Sequence, residues 1–590
     1  MNKRVLFINK NKVINIVIIL SFILFAGCDL GLGEEEKDTV KPKGPIAALF
    51  YLGGTLPEFS GESNPFSGQE MSQFTLKKRI EKASTDLLVQ EIVIHMGAIG
   101  TGWARASEIE DILKNAAKKK PLTCIIESAD NKTYAVAASS CPKISIAPAG
   151  SVDIIGLGME SLYLKDLLDM IGVKADMLHV GKYKSAAENV TLNEMSDEAR
   201  EASNSLLSDI NSRFISLIAS SRKLQKDKIA AIIDNAPYTA NQAKKAGLID
   251  NVESIGAVLS RLNKKYKGGV VSNYGKSEPQ KFDFTSIVKM FSGDKEDKQK
   301  DNASKIAIIP VLGTINSGPA ANNFLGGESS VHDLELINIL LQAANDDSVK
   351  GVVLRIDSPG GSALASDNIW EAVRELKKRK PVVTSMGDVA ASGGYYIACA
   401  TDYIFANPDT ITGSIGVVGG KIVIGEALEK LGAHKDGVML SKRSAIMSPF
   451  TPFSEDEKKT VYLSMERMYK LFVNRVSEGR NLKEADILKI AEGRVWTGSQ
   501  ALEIGLVDKM GTLEDAISKA KVLSKTKGVK AVLYPKPKSF METLGEQLSG
   551  QDVTLKYINS FKAGRAALSF GLLLSRNKVL AFSPYLYEIE

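Results

Sequence analysis

Two stretches of this 590-residue chain repeat each other. Ala236–Asp250, APYTANQAKKAGLID, returns within Gly493–Asp508, GRVWTGSQALEIGLVD. Thr239, Gln242, Ala243, Gly247, Leu248 and Asp250 recur as Thr497, Gln500, Ala501, Gly505, Leu506 and Asp508, every pair at the same spacing. Val89–Pro121 and Val349–Pro381 form a second pair. Each reads as a short β-rich run, a glycine turn, an amphipathic helix and a basic helix end. Ile144–Gly156 against Tyr403–Gly416 is a third. Three matches in one order constrain the fold more than composition does. They predict two homologous α/β halves, at 46–270 and 304–535, because each alternates apolar runs with helical segments. Residues 271–303, which hold nearly all of the charged run SGDKEDKQKDNAS (Ser292–Ser304), read as a linker, and 536–590 as a tail with helix-like apolar stretches. One of these, Ala567–Leu574, is too short to span a bilayer.

The copies diverge in one place. The apolar run Pro381–Met386 leads into GDVAASGGYYIACA (Gly387–Ala400), where Ser392 precedes Gly393 and Gly394. The earlier copy carries Asn131 and Lys132 in that region and has no serine–glycine–glycine. DSPGGS (Asp357–Ser362) likewise corresponds to MGAIGTG (Met96–Gly102). A residue needed only for packing is expected in both copies, so the difference points to one active site per duplicated chain. Ser392 is either a nucleophile on a strand-to-helix turn or a helix cap.

A serine hydroxyl needs a base, and an acyl-transfer site needs donors for the oxyanion. The glycines of DSPGGS and the N–H after Ser392 could supply the donors, or could be ordinary turns. The four histidines, His95, His179, His332 and His434, sit in apolar or surface contexts and read as structural. A desolvated lysine is the other candidate base. With 75 Lys and Arg in the chain, composition cannot choose among them.

The net charge of +6 is small for this length and is spread out, which gives no nucleic-acid footprint. The four cysteines form no CxxC and no Cys/His cluster, so no metal site is expected. Cys124, Cys141 and Cys399 read as small buried side chains, without a disulfide framework. The N-terminus has Lys3, Arg4, Lys10 and Lys12 before the apolar run Val13–Phe25, which ends LFAGC. This resembles a bacterial lipobox, with Cys28 as the lipidated residue; the alternative is an uncleaved anchor. Both readings tether the chain to a membrane with the rest outside the cytoplasm, and residues 29–45 read as a linker.

Taken together, VVLRIDSPGGSALAS (Val352–Ser366), KPVVTSMGDVAASGGYYIA (Lys380–Ala398), ANPDTITGSIGVVG (Ala406–Gly419), GRVWTGSQALEIGLVD and VGKYKSAAEN (Val180–Asn189) resemble the signal peptide peptidase A (protease IV) family in its long, duplicated form. The resemblance covers about residues 46–535. It implies an α/β fold of tandem Clp protease/crotonase-like ββα spiral domains and a Ser–Lys dyad without cofactor. Ser392 matches the nucleophile, Lys184 the general base, and Gly361 and Gly393 the oxyanion donors. Shorter family members carry the lysine beside the serine domain's SPF-like stretch, so Lys442 competes with Lys184, and Lys182 is a weaker rival. The resemblance further implies cleaved signal peptides and other short hydrophobic peptides as substrates, contact with membrane lipid, and a homotetramer. Two other functions compete. An acyl-CoA hydratase type of this fold predicts CoA binding, and a non-catalytic lipoprotein scaffold with a decayed site predicts no reactive serine.

Overall fold

The computed structural model describes residues 44–59, 71–272, 274–276, 303–319, 330–536 and 580–582. The leader with Cys28, most of both expected linkers and most of the tail lie outside them. Among the described residues no helix is long and apolar enough to cross a membrane.

The first half is built on a parallel sheet of β1 (Ile46–Gly54), β2 (Val89–Ile99), β3 (Leu122–Ile126), β4 (Lys143–Ile146), β8 (Asn251–Val252) and β9 (Val270–Val271), ordered β8-β4-β3-β2-β1-β9. A ribbon of β5 (Ser151–Val152) and β7 (Tyr238–Thr239) stands beside it. The second half repeats the plan with β10 (Lys305–Leu312), β13 (Val349–Ser358), β15 (Val382–Ala391), β16 (Tyr403–Ala406), β20 (Lys509–Met510) and β21 (Lys530–Leu533). Its order, β20-β16-β15-β13-β10-β21, matches strand for strand, with β17 (Ile411–Gly413) and β19 (Val495–Thr497) extending β15. These strands are near-continuous apolar runs because helices cover both faces of a parallel sheet. In β13, Val352, Val353, Leu354 and Ile356 are all fully buried.

The helices repeat too. We number α1 (Trp103–Ala117), α2 (Asn131–Ser140), α3 (Asp197–Arg222), α4 (Ala240–Ala246), α5 (Ala363–Lys377), α6 (Gly393–Ala398), α7 (Glu455–Arg480) and α8 (Gly498–Glu503). The long helices α3 and α7 both begin at a capping serine, Ser196 or Ser454, followed by acidic residues that suit the positive helix end. Both end at a left-handed residue, Lys223 or Asn481. The sequence repeat TxxQ forms a reciprocal capping box in α4 (Thr239, Gln242) and in α8 (Thr497, Gln500). The repeated aspartate receives a two-pronged arginine: Arg222 on Asp250 and Arg480 on Asp508. Conservation of these pairs between halves thus follows from caps and half-buried ion pairs, not from catalysis.

One cysteine expectation needs correction. Cys124 and Cys141 form a disulfide, with Cα atoms 5.9 Å apart. Cys124 lies on β3 and Cys141 caps the C-terminus of α2, and this strand–helix packing brings together two residues that in sequence look like unrelated core positions. At the matching places in the second half, Thr384 and Thr401 share a hydrogen bond of 3.1 Å. Cys399 is free and buried, as expected.

The halves are locked together by polar groups. Arg355 on β13 is fully buried and holds Glu108 of α1 through two 2.9 Å bonds, with Glu58 on its Nε side. Asp388 on β15 accepts the Gly102 and Arg105 backbone N–H groups at 3.0 and 2.8 Å, capping α1 from the other half. A third sheet contains strands of both halves. Its order is β12-β11-β14-β22-β18-β6, from β6 (Lys174–Val180), β11 (Thr314–Asn316), β12 (Ser330–His332), β14 (Gly360–Ser362), β18 (Val417–Val423) and β22 (Leu580–Phe582). Here β6 of the first half runs antiparallel to β18 of the second in an unbroken register from Val180–Val417 to Lys174–Val423.

Candidate active site

Ser392 sits between β15 and α6 with φ 53° and ψ −115°, a backbone conformation that costs a non-glycine residue about 1–3 kcal/mol. It is held there by its own N–H on the Gly413 carbonyl and by its carbonyl, which accepts from Tyr396 N, both at 2.8 Å. The tight turn requires Gly394, where a Cβ would lie 2.8 Å from the Ser358 carbonyl oxygen. Although Ser392 occupies the N-cap position, its side chain makes no capping bond. That answers the cap reading: the hydroxyl is directed elsewhere.

It is directed at a lysine from the other half. Lys184 Nζ lies 2.8 Å from Ser392 Oγ. Lys184 follows β6, so the β6–β18 ladder carries it across the boundary between halves. Its turn is fixed by Tyr183 N donating to the Glu492 carbonyl at 2.8 Å and by Lys184 N donating to Gly181. Lys184 is only 2 % exposed and Ser392 fully buried. Burial without a carboxylate partner pushes the Lys184 amine well below its ordinary value, toward the neutral form that can accept a proton.

Lys184 has a further partner that sequence reading did not single out. Ser414 lies 2.9 Å from Nζ through its hydroxyl and 3.2 Å through its carbonyl. It has a left-handed φ of 51°, and its N–H donates to the Arg494 carbonyl. The motif TGSIG contains it, but nothing in a lone serine between glycine and isoleucine marks it as a lysine ligand.

The rivals lie elsewhere. Lys442 is 78 % exposed and paired with Asp456, and Lys182 is exposed beside the Tyr183 ring. The histidines make other contacts: His95 with Glu127, His179 with the Gly181 carbonyl, His332 with the Gly318 carbonyl, while His434 is exposed. Gly393 opens α6 directly after Ser392. Gly361 lies in β14, where a Cβ would come within 2.1 Å of the Ile315 carbonyl oxygen, so no side chain fits. In the earlier copy, Lys132 fills the place of the serine turn and donates to the Thr101 carbonyl at 3.0 Å. No group of His, Cys, Asp or Glu among the described residues is arranged to hold a metal.

Comparison with known proteins identifies the family. The model of peptidase family S49 matches twice, at residues 114–268 and 374–527, and that of Clp protease matches residues 323–411. "Protease 4" of Haemophilus influenzae is 31% identical over 551 residues, covering 88% of this chain and 86% of that protein. "Protease 4" of Salmonella typhi is 29% identical, covering 93% and 89%, and "Serine protease SPPA, chloroplastic" of Arabidopsis thaliana 28%, covering 87% and 75%. A buried serine on a strained turn, a repeated α/β half with a Clp protease-like fold, and two family matches lead to one conclusion: the chain belongs to peptidase family S49 and is a serine peptidase.

Proposed function

We propose that Ser392 and Lys184 form the catalytic dyad. The observation that carries this is the 2.8 Å approach of a buried amine, lacking any acidic partner, to a buried serine hydroxyl. Neutral Lys184 takes the Ser392 proton as Oγ attacks a peptide carbonyl. The Gly361 and Gly393 N–H groups stabilise the oxyanion. The lysine then protonates the leaving amine, and water, deprotonated by the same amine, releases the acyl group. Ser414 orients Nζ. No cofactor takes part.

The substrates we assign are cleaved signal peptides and other short hydrophobic peptides. A lipid-modified Cys28 would tether the enzyme outside the cytoplasm at the membrane where such peptides partition. We further assign a homo-oligomer, a tetramer by family resemblance. The repeat supports it. The counterpart of β6 in the second half is 434–440, and the counterpart of β18 in the first begins at Leu157–Leu162. Neither segment is in a strand, and Val438, Leu440 and Leu162 are 88%, 96% and 74% exposed. The ladder made within one chain by β6 and β18 can therefore be made again between copies, head to tail, a geometry that closes into rings.

Labelling with a serine-reactive phosphonate tests the dyad. Wild type and Lys442→Ala should label and cleave peptides, while Ser392→Ala should not label. Lys184→Ala should stay folded and lose at least about 10³-fold in kcat. Labelling that survives Ser392→Ala, or full turnover in Lys184→Ala, sinks the assignment. Val438→Asp with Leu440→Asp should lower the mass measured by light scattering if the head-to-tail ladder joins copies.

A further inference from the structure

The lysine turn carries an outer set of contacts that the chemistry above does not use. Tyr183, the residue before Lys184, donates its hydroxyl to Glu201 Oε2 of α3 at 3.0 Å. Arg494 of the second half donates Nη1 to the other oxygen, Oε1, at 2.6 Å. Its guanidinium also stands over two rings, 4.9 Å from the Tyr183 centroid and 4.7 Å from that of Trp496. Trp496 is fixed in turn by its indole N–H on the Ile490 carbonyl at 3.1 Å. One carboxylate of the first half thus ties a tyrosine of its own half to an arginine of the other. The Arg494 and Tyr183 donors hold the Glu201 carboxyl below its ordinary value, so it stays charged.

The same arginine is joined to the site through its main chain. Its carbonyl accepts the Ser414 N–H at 2.8 Å, and Ser414 contacts Lys184 Nζ. Exposure falls inward along this layer, from 56% for the Glu201 side chain to 17% for that of Arg494 and 2% for Lys184. Nζ itself bonds only Ser392 and Ser414, so its neutral form depends on the exclusion of water. His179, Lys182 and Glu188 flank the turn in sequence, and Glu492, with the Tyr469 hydroxyl on its N–H, meets it from the second half. None of these groups bonds Nζ.

We propose that Tyr183, Glu201 and Arg494 are positioning residues that seal the seam between the halves and keep water from the Lys184 amine. The proposal rests on the dyad reading above. Loosening the seal lets water reach Nζ and favours its charged form, which moves the amine back toward its ordinary value. Less of it then accepts the serine proton at a given pH, and raising the pH restores what was lost. A general loss of structure would not recover in this way.

Two variants test it in the full chain. Arg494→Met keeps an apolar stem beside the rings and removes the ion pair, and Tyr183→Phe keeps the ring and removes only the hydroxyl. Arg213→Met is the control: Arg213 crosses the same boundary to Asp409 and Ser499, and its partners include no residue of the lysine turn. The kcat and KM for a fluorogenic hydrophobic peptide are measured from about pH 6 to 10. In a Ser392→Ala background the ¹³Cε shift of Lys184, assigned by its loss in Lys184→Ala, gives the midpoint of the amine without catalysis. Arg494→Met should raise that midpoint by about one pH unit. Its kcat should fall about tenfold on the acid side of both midpoints and return to within about twofold near pH 10, with KM within about twofold throughout. Tyr183→Phe should move both readouts the same way by about threefold, and it carries the test if Arg494→Met does not fold. Arg213→Met should leave the midpoint where it is. An unmoved midpoint in Arg494→Met, a kcat loss that persists at high pH, or an equal shift in Arg213→Met overturns the proposal. If Lys184→Ala cleaves at the wild-type rate, the dyad reading fails instead, and the ¹³Cε midpoint still decides whether the seal holds.

Discussion

Gly493 offers a direct measure of how finely Lys184 is positioned. It lies at φ +79° in the turn that follows Glu492, facing the lysine. A Cβ built on it would stand 2.6 Å from Lys184 Cβ and N and 2.7 Å from Lys184 Cα, where ordinary contact begins at 3.4 Å. Gly493→Ala therefore requires a separation of about 0.8 Å, the difference between 3.4 and 2.6 Å. The obstructing atoms are backbone and Cβ, so the displacement passes to the whole lysine and lengthens its 2.8 Å approach to Ser392 Oγ. Misplacing a catalytic group by about 1 Å costs about 10²-fold in rate, or ~2.7 kcal/mol. The left-handed backbone costs alanine a further ~1 kcal/mol of stability. Gly432 separates the two effects, because it has the same φ of +79° with no atom within 4 Å of its Cβ position. The assay is kcat and KM on a peptide substrate together with Tm, for Gly493→Ala and Gly432→Ala. Both should lose about 2–4 °C, and only Gly493→Ala should lose about 10²-fold in kcat. Equal activity in the two variants at matched Tm would refute the claim that this turn sets the lysine's position.

Four other outcomes are expected. Ser414→Ala removes the 2.9 Å hydroxyl partner of Nζ and should lower kcat by about tenfold or more while KM and Tm stay near wild type. Lys184→Met should raise Tm at neutral pH. Unfolded lysine keeps its proton up to about 10.5 whereas the buried amine gives it up well below, so wild-type stability rises with pH across that window and the variant's should not. For the same reason peptidase activity should climb with pH through the depressed lysine value, as the proton-accepting form fills; a flat profile would count against a lysine base. Replacing Cys124 and Cys141 by alanine should cost about 3 kcal/mol in denaturant unfolding under oxidising conditions and nothing after the wild type is reduced.

How much of this was legible in the sequence varied with the range of the interaction involved. The repeat was readable because caps, strand runs and the Arg–Asp pairs use local chemistry that survives in both copies. Ser392 stood out because its copy had lost the glycine turn. The choice between Lys184 and Lys442 was not readable from residues alone: both follow similar segments, and only the pairing of β6 across the boundary buries one while leaving the other exposed. Cys124 and Cys141 looked like core apolar positions because both are buried; what joins them is the packing of α2 on its strand. Ser414 meets Lys184 from a left-handed backbone and across more than two hundred residues of sequence, neither of which leaves a local signature.

In the dyad we propose, base and nucleophile stand 208 positions apart on separate halves, joined only when β6 zips onto β18. During synthesis the amino-terminal half emerges first with an amine that has nothing to activate. The serine turn follows with no acceptor until the two halves dock. On that reading a half-made chain is chemically silent, and proteolytic competence waits for the two halves to dock. On the same reading the duplication does more than double the size of the protein: it makes completion of folding the switch that arms it.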